Sequence, residues 1–166
     1  MVKLADWYDN KCRKAYSYTY VGGENPIKAF EWYEKAASKD SPVAMYRLGM
    51  IYKYSSTQDG SESYAYAKRV HVEYEIAKDE SKAFEWFSKS INPNYVESLF
   101  STSKKIKTNF WNWKDTFSAA KASFFHPDSY KQLALFYKQA KVVPKDKEMA
   151  KKLVVAYKIY VNINNF

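Results

Sequence analysis

Apolar residues recur along the chain at spacings of three and four, broken by short polar stretches that carry proline. After Ser41-Pro42 come Ala44, Leu48, Gly49 and Tyr52; after Asn92-Pro93 come Tyr95 and Leu99. After His126-Pro127 come Ser129 or Tyr130, Leu133, Ala134 and Tyr137. This period belongs to an amphipathic helix, one stripe apolar and the rest polar. Proline fits the first helical turn because its missing N–H has no partner there anyway, and a preceding Ser or Asn can cap the free donors. Asn25-Pro26 marks a fourth start of this kind. A second kind is marked by Asp79 and Asp146, each four residues ahead of an alanine, Ala83 and Ala150. A carboxylate there is favoured by the helix dipole.

The pattern also repeats. Lys28-Ala29-Phe30-Glu31-Trp32-Tyr33-Glu34-Lys35 returns as Lys82-Ala83-Phe84-Glu85-Trp86-Phe87-Ser88-Lys89. Helix starts and repeated phrases together predict helix pairs: 2–18 with 26–38, 42–54 with 79–90, 93–106 with 109–123, and 127–140 with 146–161. Helices of this length are marginal alone, so a single pair leaves an apolar face uncovered. Stacked pairs bury a continuous core, with Ala and Gly where helices approach closely. Trp32 and Trp86 read as core wedges between neighbouring units. The predicted fold is all-α, a short α-solenoid of about four antiparallel helix pairs (an α/α superhelix), in one domain spanning 1–166.

These phrases resemble the Sel1-like repeat family, a relative of the tetratricopeptide repeats. Ala44, Leu48, Gly49 and Tyr52 match its Ala-x-x-x-Leu-Gly-x-x-Tyr phrase. Val143 and Asp146 match its Gly-Val-x-x-Asp phrase. Lys28, Ala29, Trp32, Tyr33, Lys35, Ala36 and Ala37 match its Lys-Ala-x-x-Trp-Tyr-x-Lys-Ala-Ala phrase. The match is specific at 26–52, good at 76–90 and 133–156, and weak from 93 to 125. The resemblance implies a non-catalytic adaptor that binds another protein on an inner surface formed by the first helix of each pair. Aligning the units puts Tyr46, Arg47, Met50 and Tyr54 on that surface from one pair, and Lys131, Gln132, Leu135 and Gln139 from the last. Its narrower form is a bacterial immunity protein that neutralises a cognate toxin.

Two stretches depart from the pattern. Tyr137 lies nine residues before Asp146, but Tyr52 lies 27 before Asp79, an insertion of 18 residues within about 55–78. Its start, Ser55 to Ser61, is a loop by composition. Further on, Val70, Val72, Tyr74 and Ile76 alternate with polar residues, which suits an extended arm; two flanking helices lengthened by two turns each suit the residues equally. Insertions in such arrays fall in loops on one face and often touch the partner. Tyr64, Tyr66, Lys68, Arg69 and His71 are the candidates here, and a tolerated loop is the plain alternative. The second departure is Trp111 with Trp113: residues i and i+2 diverge by about 200° on a helix, so they cannot share one core stripe. One of them is a candidate contact, against the plainer alternative of a crowded core.

Composition narrows the function. With 46% hydrophobic residues the chain can bury a core, and 4 Gly and 5 Pro exclude a turn-rich sandwich. The formal charge of +9 favours an acidic partner. Lysines near aromatics, as in Lys104-Lys105-Ile106-Lys107 ahead of Phe110 and Trp111, keep a nucleic-acid-associated role as the alternative, with steep salt dependence as its mark. Cys12 is alone, so it forms no intrachain disulfide, and without a nearby histidine it reads as inert despite Lys11, Arg13 and Lys14. No apolar stretch approaches the ~20 residues of a membrane span, and the opening residues lack the apolar core of a leader. The expected compartment is the cytoplasm. Of two histidines, His71 and His126, the second reads as a helix cap. No metal spacing and no glycine-rich phosphate loop occurs, so neither enzyme nor cofactor is expected.

Overall fold

The computed structural model describes residues 1–5, 26–54, 76–92, 96, 100 and 126–164. Its helices are α1 (Pro26–Ala37), α2 (Pro42–Tyr54), α3 (Glu80–Lys89), α4 (Pro127–Gln139) and α5 (Lys147–Asn164). Residues 2–5 are helical as well, and no strand occurs among the described residues. The fold class is therefore that of a short all-α solenoid, its helices packed in neighbouring pairs, α1 on α2 and α4 on α5; the second is the expected pair, whereas α2 packs chiefly on α1 and not on α3, the helix expected to pair with it. The predicted pair 93–106 with 109–123 lies outside the described residues, except that Val96 and Phe100 are helical.

Local chemistry sets these boundaries. Three helices open on the proline that marked them, Pro26, Pro42 and Pro127. At Pro42 the preceding serine caps: its hydroxyl accepts the Ala44 N–H at 3.4 Å. At the two aspartate starts, Asp79 accepts the Lys82 N–H at 2.9 Å and Asp146 accepts the Met149 N–H at 2.8 Å. His126 occupies the N-cap position of α4, but its imidazole makes no capping bond, which corrects the expectation for it. It serves through its backbone instead, donating its N–H to the Ser90 carbonyl at 2.9 Å. Ala140 closes α4 in the left-handed region (φ 55°), with its N–H returned to the Phe136 carbonyl. Loss of a capping side chain costs about 1 kcal/mol. Asp79→Ala and Asp146→Ala are each expected to lower stability by that amount, while Asn at either position retains most of it. Urea unfolding followed by circular dichroism checks this, and equal losses for Ala and Asn would contradict it.

The chain divides into two compact units, Met1–Trp86 and Phe87–Phe166, with the boundary inside α3. In the first, Ala5, Ala29, Tyr33, Ala36, Ala37, Ala44, Met45, Leu48 and Ile51 form one buried cluster. Alanines dominate the α1 side, and their lack of bulk lets α1 and α2 approach closely. Leu48 and Ile51 supply apolar area worth about 1.5–3 kcal/mol each. Trp32 and Trp86 pack against this cluster from its margin, half-buried, while the neighbouring Tyr33 is 1% exposed. In the second unit Phe87 is 0% exposed and tilts against Phe136, with ring centroids 6.3 Å apart. Beside them Ser90 donates its hydroxyl to the Phe87 carbonyl at 2.7 Å and is hydrogen-bonded to the buried Ser129 hydroxyl. Two polar side chains are thereby buried without an unmade bond.

Candidate partner-binding surface

Helices α2 and α4 follow one plan. On α2 the buried residues are Ala44, Met45, Leu48, Gly49 and Ile51; on α4 they are Ser129, Tyr130, Leu133, Ala134 and Phe136. Each residue of the second set stands 85 positions after its counterpart in the first. The side chains on the opposite stripe then correspond too: Tyr46 with Lys131, Arg47 with Gln132, Met50 with Leu135, Tyr54 with Gln139. On α2 all four are half-buried; on α4 Lys131 and Gln139 are exposed, and Gln132 and Leu135 are half-buried. The packed positions therefore recur, and on the outward stripe Met50 and Leu135 are both apolar whereas Tyr46, Arg47 and Tyr54 give way to Lys131, Gln132 and Gln139.

The α2 stripe has a defined chemistry. Burial raises the Tyr54 phenol above its ordinary value. Next to the stripe, Tyr52 is raised as well, first by burial and then by the negative charges of Glu34 and Asp79. Its ring meets Phe30 edge-on at 6.1 Å, and the Lys82 ammonium lies 5.2 Å from its centroid. On the α4 side, the Lys131 ammonium lies 5.9 Å from the Tyr157 ring.

The insertion is closed at its base. The Asp79 N–H donates to the Tyr52 carbonyl at 3.0 Å, and the Asp146 N–H donates to the Tyr137 carbonyl at 3.2 Å. The same bond thus closes a connection of 27 residues and one of nine, the two tyrosines and two aspartates that the spacing singled out. The extra 18 residues leave and return between fixed points. Residues 76–79 are irregular and α3 begins only at Glu80, so α3 is not lengthened backwards into the insertion. Tyr64, Tyr66, Lys68, Arg69 and His71 lie outside the described residues, as do Trp111 and Trp113.

Among the described residues no group of three or more His, Cys, Asp or Glu side chains could hold a metal ion. No described helix is long and apolar enough to cross a membrane. On α5, Lys147, Lys151, Val154 and Lys158 are all exposed, at spacings of four, three and four. Lysine at helical spacing is visible there, but its meaning depends on which face of α5 packs against α4.

No curated protein and no solved structure matches the chain. The family model of the Sel1 repeat matches four stretches, residues 15–41, 42–69, 73–92 and 127–153. It meets α4 and the start of α5 in one stretch, but α2 and α3 in two, and the break falls inside the insertion. Residues 93–126, where the repeat phrases are weak, are unmatched. Four matches covering more than half of the chain, in register with capped helix pairs, carry the conclusion: this chain belongs to the Sel1 repeat family.

Proposed function

We propose that the chain is a non-catalytic scaffold that binds another protein with an acidic surface, with the outward stripe of α2 and that of α4 each offering contacts within its own unit. One observation carries this reading. The buried positions of the two helices match one for one, while the stripes Tyr46-Arg47-Met50-Tyr54 and Lys131-Gln132-Leu135-Gln139 differ in chemistry at three of four positions and keep an apolar residue at Met50 and Leu135. Packing constrains the first set, and side chains that packing leaves free to vary are the ones a partner can read. Half-buried tyrosine, methionine and arginine are residue types that anchor protein interfaces. The excess of +9 gives the partner its sign. The narrower form, an immunity protein that neutralises a cognate toxin, rests on the family resemblance alone.

The test is affinity capture from extracts of the native host with mass spectrometry, using the full chain and two variants. One carries Tyr46→Ala, Met50→Ala and Leu135→Ala. In the other, residues 55–78 are replaced by a copy of 140–145, which keeps Tyr54 and the spacing of the closure between Tyr52 and Asp79 and removes the 18 extra residues. The full chain is expected to enrich one protein, and the stripe variant to lose it. Loss in the loop-exchange variant alone would move the site to the insertion. Absence of any enriched protein would refute the scaffold reading.

A further inference from the structure

Two turns of the chain lead from a helix with the Lys-Ala-Phe-Glu-Trp phrase to one that opens on proline: α1 to α2, and α3 to α4. The first turn is short and the second is long. Ser41 follows Ala36 by five residues and His126 follows Ser90 by 36, a difference of 31. Ser90 stands 54 positions after Ala36, the offset between the two copies of the phrase. His126 stands 85 positions after Ser41, the offset between the buried sets of α2 and α4.

Both turns close in the same way. The Ser41 N–H donates to the Ala36 carbonyl at 3.1 Å, and the His126 N–H donates to the Ser90 carbonyl at 2.9 Å. Carbonyls at the end of a helix have no partner within it, and here the start of the following helix supplies one. The side chains beside the turns correspond as well. Ala36 and Ala44 are buried in one cluster with Tyr33 and Ile51. At the matching places Ser90 is hydrogen-bonded to Ser129, and Phe87 lies against Phe136. A further repeat between α3 and α4 would break this correspondence, because its own first helix would follow α3 and take the Ser90 carbonyl. The proline that could open such a helix, Pro93, comes three residues after Ser90, whereas Pro42 comes six after Ala36. Lengthening a closed connection costs little, since its entropy grows only with the logarithm of its length.

We infer that residues 91–125 are an insertion into the turn between α3 and α4, and not a further unit of the array. Helices α2 and α4 then open consecutive repeats. Both departures from the repeat pattern become additions to closed turns, one between Tyr52 and Asp79 and the other between Ser90 and His126. The insertion still touches the array: Val96 is 4% exposed, and the Phe100 ring lies 5.7 Å from the Lys152 ammonium of α5. Excision therefore lowers stability without undoing the helices on either side. The inference concerns folding alone and stands or falls apart from the scaffold reading.

Two variants test it. In the first, residues 91–125 are replaced by a copy of 37–40, which sets His126 five residues after Ser90. In the second, residues 103–122 are replaced by a Gly-Ser sequence of equal length, which leaves Val96 and Phe100 in place. A stacked repeat would lose its second helix in that exchange and uncover its neighbours. Both are made in a background of Cys12→Ser, Ser90→Cys and Ser129→Cys, whose sulfurs take the places of two bonded hydroxyls. Urea unfolding reads cooperativity, and refolding with oxidised glutathione followed by peptide mass spectrometry reads the disulfide between positions 90 and 129. The background and both variants are expected to unfold in a single transition and to form the disulfide, the variants to at least half the extent of the background. Absence of the disulfide from the background, or from an excision variant that unfolds cooperatively, would overturn the inference. If the excision variant does not fold, the Gly-Ser variant decides: cooperative unfolding with the disulfide supports an insertion, and loss of either overturns it.

Discussion

Replacing Phe87 with alanine is expected to lower the stability of the chain by about 3–5 kcal/mol, several times the loss from removing a helix cap. Phe87 is 0% exposed, its ring lies against Phe136, and Ser90 is bonded to its carbonyl. Truncation removes the apolar area and leaves a cavity that helices fixed by these contacts cannot close. Trp86 is the larger side chain and stands out in the sequence, yet it is half-buried. Trp86→Ala is therefore expected to cost less than half as much, because water already covers part of the ring and little cavity forms. Urea unfolding at 25 °C, followed by far-ultraviolet circular dichroism, compares the two. A larger loss for Trp86→Ala would show that the tryptophan is the main wedge after all.

The second large effect belongs to the smallest side chains. Ala29 and Ala83 stand at the same place in the repeated phrase, and both are 0% exposed. The helix that carries each of them has no room for a longer side chain there. Ala83→Leu is expected to cost about 1–3 kcal/mol through overpacking, although leucine is as good a helix former as the site could ask for. Ala77→Leu, at an exposed position ahead of α3, should stay within about 0.5 kcal/mol of the starting stability. If Ala83→Leu left the unfolding midpoint unchanged, the alanines would be fillers and not spacers.

Much of the architecture was legible because its signals are local. A proline lacks one N–H wherever it stands, and Pro26, Pro42 and Pro127 open helices for that reason. Asp79 and Asp146 cap because a carboxylate reaches the N–H three residues on, a distance set by the helix itself. The insertion could be counted from the spacing of Tyr52 and Asp79 alone, and the bond between them keeps the count. His126 shows where this reasoning stops: its position was right, but its N–H goes to Ser90, 36 residues earlier.

Sequence by itself thus determined the all-α class, the helix starts and the repeat family, since each follows from residues within one or two turns of one another; of the helix pairs it determined that of α4 with α5, whereas α2 packs on α1. Tertiary structure decided which of two adjacent aromatics is buried, Tyr33 over Trp32 and Phe87 over Trp86. Neighbours on a helix diverge by about 100°, and only the packed partner fixes which one points inward. It also decided which face of α5 packs: Leu153 and Ala156 are buried, and Lys147, Lys151 and Lys158 are exposed. Whether a lysine is solvated surface or part of a site depends on what lies against its helix, and that is a property of the assembled chain.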